Sequence, residues 1–168
     1  MRIHHDHAPH AADFIGLNGA WITEHFRLED FDLALARDPM RIVREGGALI
    51  TMSQDGVVVG GCALFRERAD RFQLARMTVA AAQRGKGLGS ILIETALARA
   101  AAMGAASVYL LSNTRLAAAV HLYRKHGFVP IHEGPDSGHA RCDLIMERAI
   151  APLDAPPQRP PQREGGPT

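Results

Sequence analysis

Three alternating glycines, Gly85, Gly87 and Gly89, stand between a strand-like run and a long apolar helical run. This is the feature that most constrains the chain. Glycine lets a backbone approach a ligand with no side chain in the way. A helix that starts there, at about Leu88, offers unpaired N–H groups and the positive end of its dipole. Arg84 and Lys86 add two fixed positive charges. The combination suits phosphate oxygens; the plainer reading is a tight strand-to-helix turn that needs small residues. A P-loop is excluded, because no Gly-Lys-Ser/Thr follows. A dinucleotide fingerprint nearly fits, with Ser90 where a third Gly or Ala belongs. It also requires an acid about 20 residues later, and Leu110-Leu111-Ser112-Asn113 supplies none.

The sequence around this loop divides into alternating elements. Phe14, Leu17, Trp21, Ile22 and Phe26 recur at helical spacing from Ala11 onward. Short helices are predicted from Asp30 through Leu35 and from Pro39 to Glu45, the latter stopped by Gly46-Gly47. Ala48–Ser53 and Val57–Phe65 flank Gln54-Asp55-Gly56, a hairpin signal. A third strand covers Phe72 to Ala80. A helix follows from Leu88 to Met103, carrying only Glu94 and Arg99 as charges, so most of its surface should be covered. Then come a short strand at Val108–Leu111, a helix at Leu116–His126, and strands at Phe128–Ile131 and Ala140–Met146. Strands that meander and then alternate with helices predict an α/β fold, a mixed sheet with helices on its faces rather than a bundle or sandwich.

The ends differ from this middle. Residues 151–168 hold six of the ten prolines and almost no large apolar side chain, so a folded domain of residues 1–150 is expected, followed by a disordered tail. Pro157 to Pro160 has the PxxP spacing of a peptide ligand, but a solvated tail is the simpler reading. His4, His5, His7 and His10 cluster around Asp6. Imidazoles can bind zinc, nickel or copper, yet Ile3 is the one apolar anchor here, so no rigid frame and no metal site is expected. Cys62 and Cys142 are expected to be buried free thiols. The net charge of +1, from 19 basic and 18 acidic residues, gives no reason to bind nucleic acid or an anionic membrane. No apolar run is long enough to span a bilayer, and the expected location is cytoplasmic.

The string Gln83-Arg-Gly-Lys-Gly-Leu-Gly89 resembles the R/Q-x-x-G-x-G/A signature of the GNAT superfamily of acetyl-CoA-dependent N-acetyltransferases. Arg84, Gly87 and Gly89 occupy its fixed positions. Asn113, a helix containing Leu122-Tyr123, and Gly127-Phe128 resemble the family's later motif. The resemblance covers roughly Gly47 to Met146. Leu17-Asn18 through Trp21 is similar to the first helix of one subgroup.

This resemblance implies a sheet splayed open in its middle, with acetyl-CoA in the gap and no metal requirement. Its pyrophosphate would lie on the N–H groups of Arg84, Gly85, Lys86, Gly87, Leu88, Gly89 and Ser90. Its pantetheine arm would pair with the backbone of Met77, Thr78 and Val79, the Val79 N–H pointing at the acetyl carbonyl. That N–H would steady the oxyanion formed on amine attack. Tyr123 matches the family's general acid, against the plain alternative of a helix tyrosine packed on the core. Asn113 would contact the pantetheine arm or cap the following helix.

Many members carry a glutamate where Gln73 stands, and a glutamine cannot accept a proton near neutral pH. Base candidates are Glu24, Glu29, Glu67, His121 and a water chain; Gln73 itself could hydrogen-bond substrate. Substrate identity should rest on Trp21, His25, Phe26, Arg27, His132, Glu133, Asp136 and His139. The expected partner is a primary amine of a small molecule or protein, attacking directly in a ternary complex, and a homodimer is compatible with this. The alternatives are a non-catalytic acyl-CoA sensor and, more remotely, a nucleotide-binding oxidoreductase.

Overall fold

A computed structural model describes residues 1–135 and 140–151. The tail beyond Ala151, and with it the PxxP stretch, lies outside the described residues, as do Asp136 and His139. The elements run β1 (Arg2–His5), α1 (Ala8–His25), α2 (Asp30–Arg37), α3 (Arg41–Arg44), β2 (Ala48–Gln54), β3 (Val57–Arg68), β4 (Arg71–Val79), a 3₁₀ turn (Ala81–Gln83), α4 (Leu88–Ala102), β5 (Ser107–Ser112), α5 (Ala117–Lys125), β6 (Val129–Glu133) and β7 (Leu144–Ala149). The strands form one mixed sheet in the order β1-β2-β3-β4-β5-β7-β6.

The β2–β3 hairpin closes on Asp55 and Gly56, both at positive φ (52° and 79°), as a two-residue turn matching strand twist requires. Side chains then alternate across β2. Ile50 and Met52 face a core shared with Leu92, Ile93, Ala96 and Leu97 of α4. Leu49 faces a second core with Phe14 and Ile15 of α1 and Ile42 of α3. Each face of the sheet thus carries helices. Only Ile91, Glu94, Ala98 and Ala102 of α4 are exposed, as its composition predicts.

Three expectations are corrected. The N-terminal segment does have a frame: Arg2–His5 pairs antiparallel with Ile50–Ser53. The strand is short, polar and at the sheet edge, so alternation gave no signal; backbone bonds and Asp6 hold it. Asp6 accepts from the Leu49 N–H (2.8 Å) and from Arg99 (2.9 Å). Helix α1 starts at Ala8, not Ala11, with Pro9 in its first turn, where a missing N–H costs nothing. Cys142 lies before β7 rather than within a strand. Neither cysteine is in a disulfide; Cys62 is buried and Cys142 partly so. No helix among the described residues is long and apolar enough to cross a membrane.

Candidate active site

The site grows from a break in the sheet. Strands β4 and β5 pair in parallel only from Arg71–Gln73 against Ser107–Tyr109. Beyond Gln73, β4 stays with β3 and β5 stays with β7, so the two halves part. Next to the break, β4 carries a bulge: Ala75 and Thr78 oppose Ala63 and Gly61, and Arg76 sits at φ 59°. Bulges kink and re-aim a strand. Arg76 is held there by its bond to Asp32 and by Asn18, whose amide donates to Thr78 Oγ1 (2.8 Å) and to the Arg76 carbonyl (3.5 Å). The Ala80 N–H donates to the Val59 carbonyl on β3 (2.8 Å). Successive residues of a strand address opposite edges, so the Val79 N–H faces the side that β5 has vacated.

At the far end of β4 the chain makes its 3₁₀ turn and enters the glycine loop. Gly85 and Gly87 have φ of 77° and 79°, and nothing lies within 4 Å of where their Cβ atoms would be. The loop is open to a ligand. Gly87 is the N-cap of α4 and brings no side-chain cap, and the first turn holds no acid. The N–H groups of Leu88, Gly89 and Ser90 have no carbonyl one turn below. The two cations are less free than their sequence suggests. Arg84 donates to the Val79 carbonyl (3.3 Å) and pairs with Glu24 (3.5 Å), while Lys86 donates to Gln83 (3.0 Å). Gly89 has a packing reason as well: a Cβ there would come 2.9 Å from Leu122 Cδ2 of α5.

Helix α5 brings Tyr123 to the break. Desolvation, with the Cys62 thiol adding to it, pushes the Tyr123 phenol up to about 12. Burial alone raises the Cys62 thiol to about 12. The phenol therefore keeps its proton throughout the physiological range. Asn113 shapes a turn rather than capping α5: its Oδ1 accepts from the Arg115 N–H (2.9 Å) and its Nδ2 donates to the Arg141 carbonyl (3.1 Å). It still lines the cavity.

That cavity, of about 610 Å³, occupies the break and unites Trp21, Gln73, Met77, Asn113 and Tyr123. Thr78 and Val79 follow Met77 on β4, but neither they nor residues 84–90 line this cavity. Gln73 accepts a long bond from the Tyr109 hydroxyl (3.5 Å). Glu29 and Glu67 are the base candidates that reach the cavity; Glu67 is paired with Arg71 (2.5 Å). Glu24 pairs with Arg84, and His121 is exposed outside the cavity. Phe26 lines it, whereas His25 stacks on Trp21 from outside (4.7 Å) and His132 and Glu133 are exposed on β6.

Several wall residues had no signal in the sequence: Phe31, Phe65, Arg76, Tyr109 and Arg141. Arg76 and Arg141 converge on Asp32, whose side chain is 4% exposed. Desolvation pushes the Asp32 carboxyl up. Bonds from Arg141, the Glu29 N–H and Arg76 more than reverse it, leaving it at about 2.

The chain matches the family model described as the acetyltransferase (GNAT) family over residues 13–128. No curated protein sequence matches it. Among solved structures, an acetyltransferase of the GNAT family from Staphylococcus aureus Mu50 superposes with a TM-score of 0.78 at 16% identity, covering 89% of this chain and 99% of that one. A ribosomal-protein-alanine N-acetyltransferase from Brucella melitensis gives 0.72 at 19%, covering 89% and 100%. An aminoglycoside 6′-N-acetyltransferase complexed with coenzyme A gives 0.71 at 14%, covering 90% and 98%.

Proposed function

The chain belongs to the GNAT family of acetyltransferases, and from that premise we propose that it acetylates a primary amine of a small molecule or protein by direct attack in a ternary complex. The family's cosubstrate is acetyl-CoA, which supplies the activated acetyl group as a thioester. The observation that carries the reading is the break between β4 and β5, with a free strand edge on one side, a glycine loop without a side-chain cap after β4 and a cavity of about 610 Å³ within it.

In this reading the first-turn N–H groups of α4, with those of Arg84 to Gly87, hold the pyrophosphate. The Met77–Val79 edge pairs with the pantetheine arm and fixes its reach. The Val79 N–H donates to the acetyl carbonyl oxygen, where negative charge grows in the transition state. Glu29 and Glu67 draw an ammonium into the cavity, and Glu67, through water, takes its proton so that the amine can attack. Gln73 positions the amine without titrating. Tyr123 is protonated and donates a hydrogen bond to the departing thiolate. Full proton transfer from so weak an acid to the thiolate, whose conjugate thiol has an ordinary pKa near 8.5, runs uphill. The proton lost by the attacking amine ends on the thiol, and Tyr123 stabilises the charge until it arrives.

Mixing the protein with acetyl-CoA and a panel of amines should release free thiol. Tyr123→Phe should lower kcat by about 100-fold and leave the Kd for acetyl-CoA unchanged. An unchanged kcat removes Tyr123 from this role; absence of thiol release with every amine overturns the proposed acceptor class.

A further inference from the structure

We propose that His4, His7 and His10 form a binding site for one zinc(II) ion or a similar borderline dication, which clamps the start of α1 to the edge of the sheet. The three residues come from β1, the N-cap of α1 and its first turn. One ring nitrogen of each lies within 4.8 Å of those of the other two. The ring centroids are 4.4 Å apart for His4–His10 and His7–His10 and 5.3 Å for His4–His7. Tetrahedral zinc with bonds near 2.0–2.1 Å needs ligand nitrogens ~3.3 Å apart. Small rotations of half-exposed and exposed side chains close that difference.

The surroundings supply what metal-bound imidazoles require. Such rings donate their second N–H to an oxygen, which fixes tautomer and orientation. His4 Nε2 lies 2.8 Å from Ser53 Oγ, and His10 Nδ1 lies 3.2 Å from Thr51 Oγ1. Both hydroxyls stand on β2, so the opposite nitrogen of each ring is left for a metal. His7 is the N-cap, yet its ring caps nothing. Asp6, between these ligands, takes a left-handed φ of 52° and is bonded to Leu49 and Arg99, so the turn is held rigid with the site empty or full. The positive end of the α1 dipole opposes a cation, but this is weak beside three coordinate bonds.

Three imidazoles select zinc, nickel, cobalt or copper over magnesium or calcium. The site lies at the opposite end of α1 from Trp21 and Phe26, which line the amine cavity. It therefore acts on stability and on the seating of α1, not on the chemistry.

The full chain titrated with zinc chloride in a calorimeter should bind one ion, and cobalt(II) should give the intense visible bands of a tetrahedral site. At a hundredfold excess over Kd, zinc should raise Tm by roughly 5–10 °C. His7→Ala removes an exposed side chain and should weaken binding at least tenfold and abolish the Tm rise; His5→Ala, on the same strand outside the cluster, should change neither. No saturable binding, or equal losses in His5→Ala and His7→Ala, would overturn the site in favour of unspecific chelation by a histidine-rich segment.

Discussion

At the start of α4 the groups offered to a ligand are main-chain N–H donors, set by glycine conformations within a run of seven residues. Across the break, the cavity is walled by side chains from α1, α2, β3, β4, β5, α5 and the segment before β7. The first region is local: Gly85 and Gly87 touch nothing that a Cβ would disturb. The second is held from a distance by Asp32, bonded to Arg76 and to Arg141, 44 and 109 residues away in sequence. In the proposed function, the contrast means that the two substrates would be recognised by differently vulnerable structures. One is a backbone shape with little long-range support. The other is a wall of ordinary side chains pinned by one buried ionic node.

Breaking the node should have the largest effect. Asp32→Ala leaves the Arg76 side chain, 9% exposed, without its carboxylate. Removing one partner of a buried ion pair costs about 3–5 kcal/mol. Arg76 also loses a bond that holds its left-handed backbone in the bulge. The expected result in urea unfolding is a loss of that order. In steady-state kinetics the KM for the amine should rise at least tenfold while the Kd for acetyl-CoA stays within twofold. A parallel loss of acetyl-CoA affinity would show that the two regions are one unit.

Acid should reveal the same node more gently. The Asp32 carboxyl sits at about 2, against an ordinary 3.8. A depressed carboxylate contributes stability that is complete above the ordinary value and is lost as pH falls through the folded one. The contribution is about 2 kcal/mol, disappearing between pH 3.8 and about 2. Asp32→Asn should be flatter by this amount over that window when unfolding is followed by urea at stepped pH. Equal acid slopes in wild type and variant would place the acid-sensitive interactions elsewhere.

The same division explains what could be read before the fold was known. The alternating sheet, the hairpin turn and the glycine loop were all legible, because each depends on residues close in sequence. The break was implied only by the family resemblance that the flanking motifs carry. Gln73 and Trp21, named from the sequence as candidate substrate contacts, line the cavity. Arg76, Tyr109 and Arg141 were invisible: an arginine spent on a buried aspartate looks like any surface arginine until the partner is known. The capping of Asp32 by its own helix start, with Glu29 donating its N–H (2.7 Å), also disguises it as a routine N3 acid. Strand β1 failed for the opposite reason. Its pairing is made by backbone and by Asp6, and a polar edge strand with one apolar residue has no period to detect.

The sharpest test of the local half is a pair of glycine variants. Gly87→Ala meets no atom within 4 Å, so its cost is purely the left-handed backbone at φ 79°, about 1–2 kcal/mol. That should lower Tm by roughly 2–6 °C and, if the loop relaxes its φ, turn N–H groups away from the pyrophosphate. Acetyl-CoA affinity measured by calorimetry should fall about tenfold, with the amine KM unchanged, the mirror image of Asp32→Ala. Gly89→Ala has ordinary helical freedom and meets only the flexible end of Leu122. It should cost less than about 1 kcal/mol and leave acetyl-CoA affinity nearly intact. If instead Gly89→Ala weakens acetyl-CoA as much as Gly87→Ala, then the seating of α5 on α4, rather than the loop's backbone shape, governs the phosphate cradle, and the local region is not local.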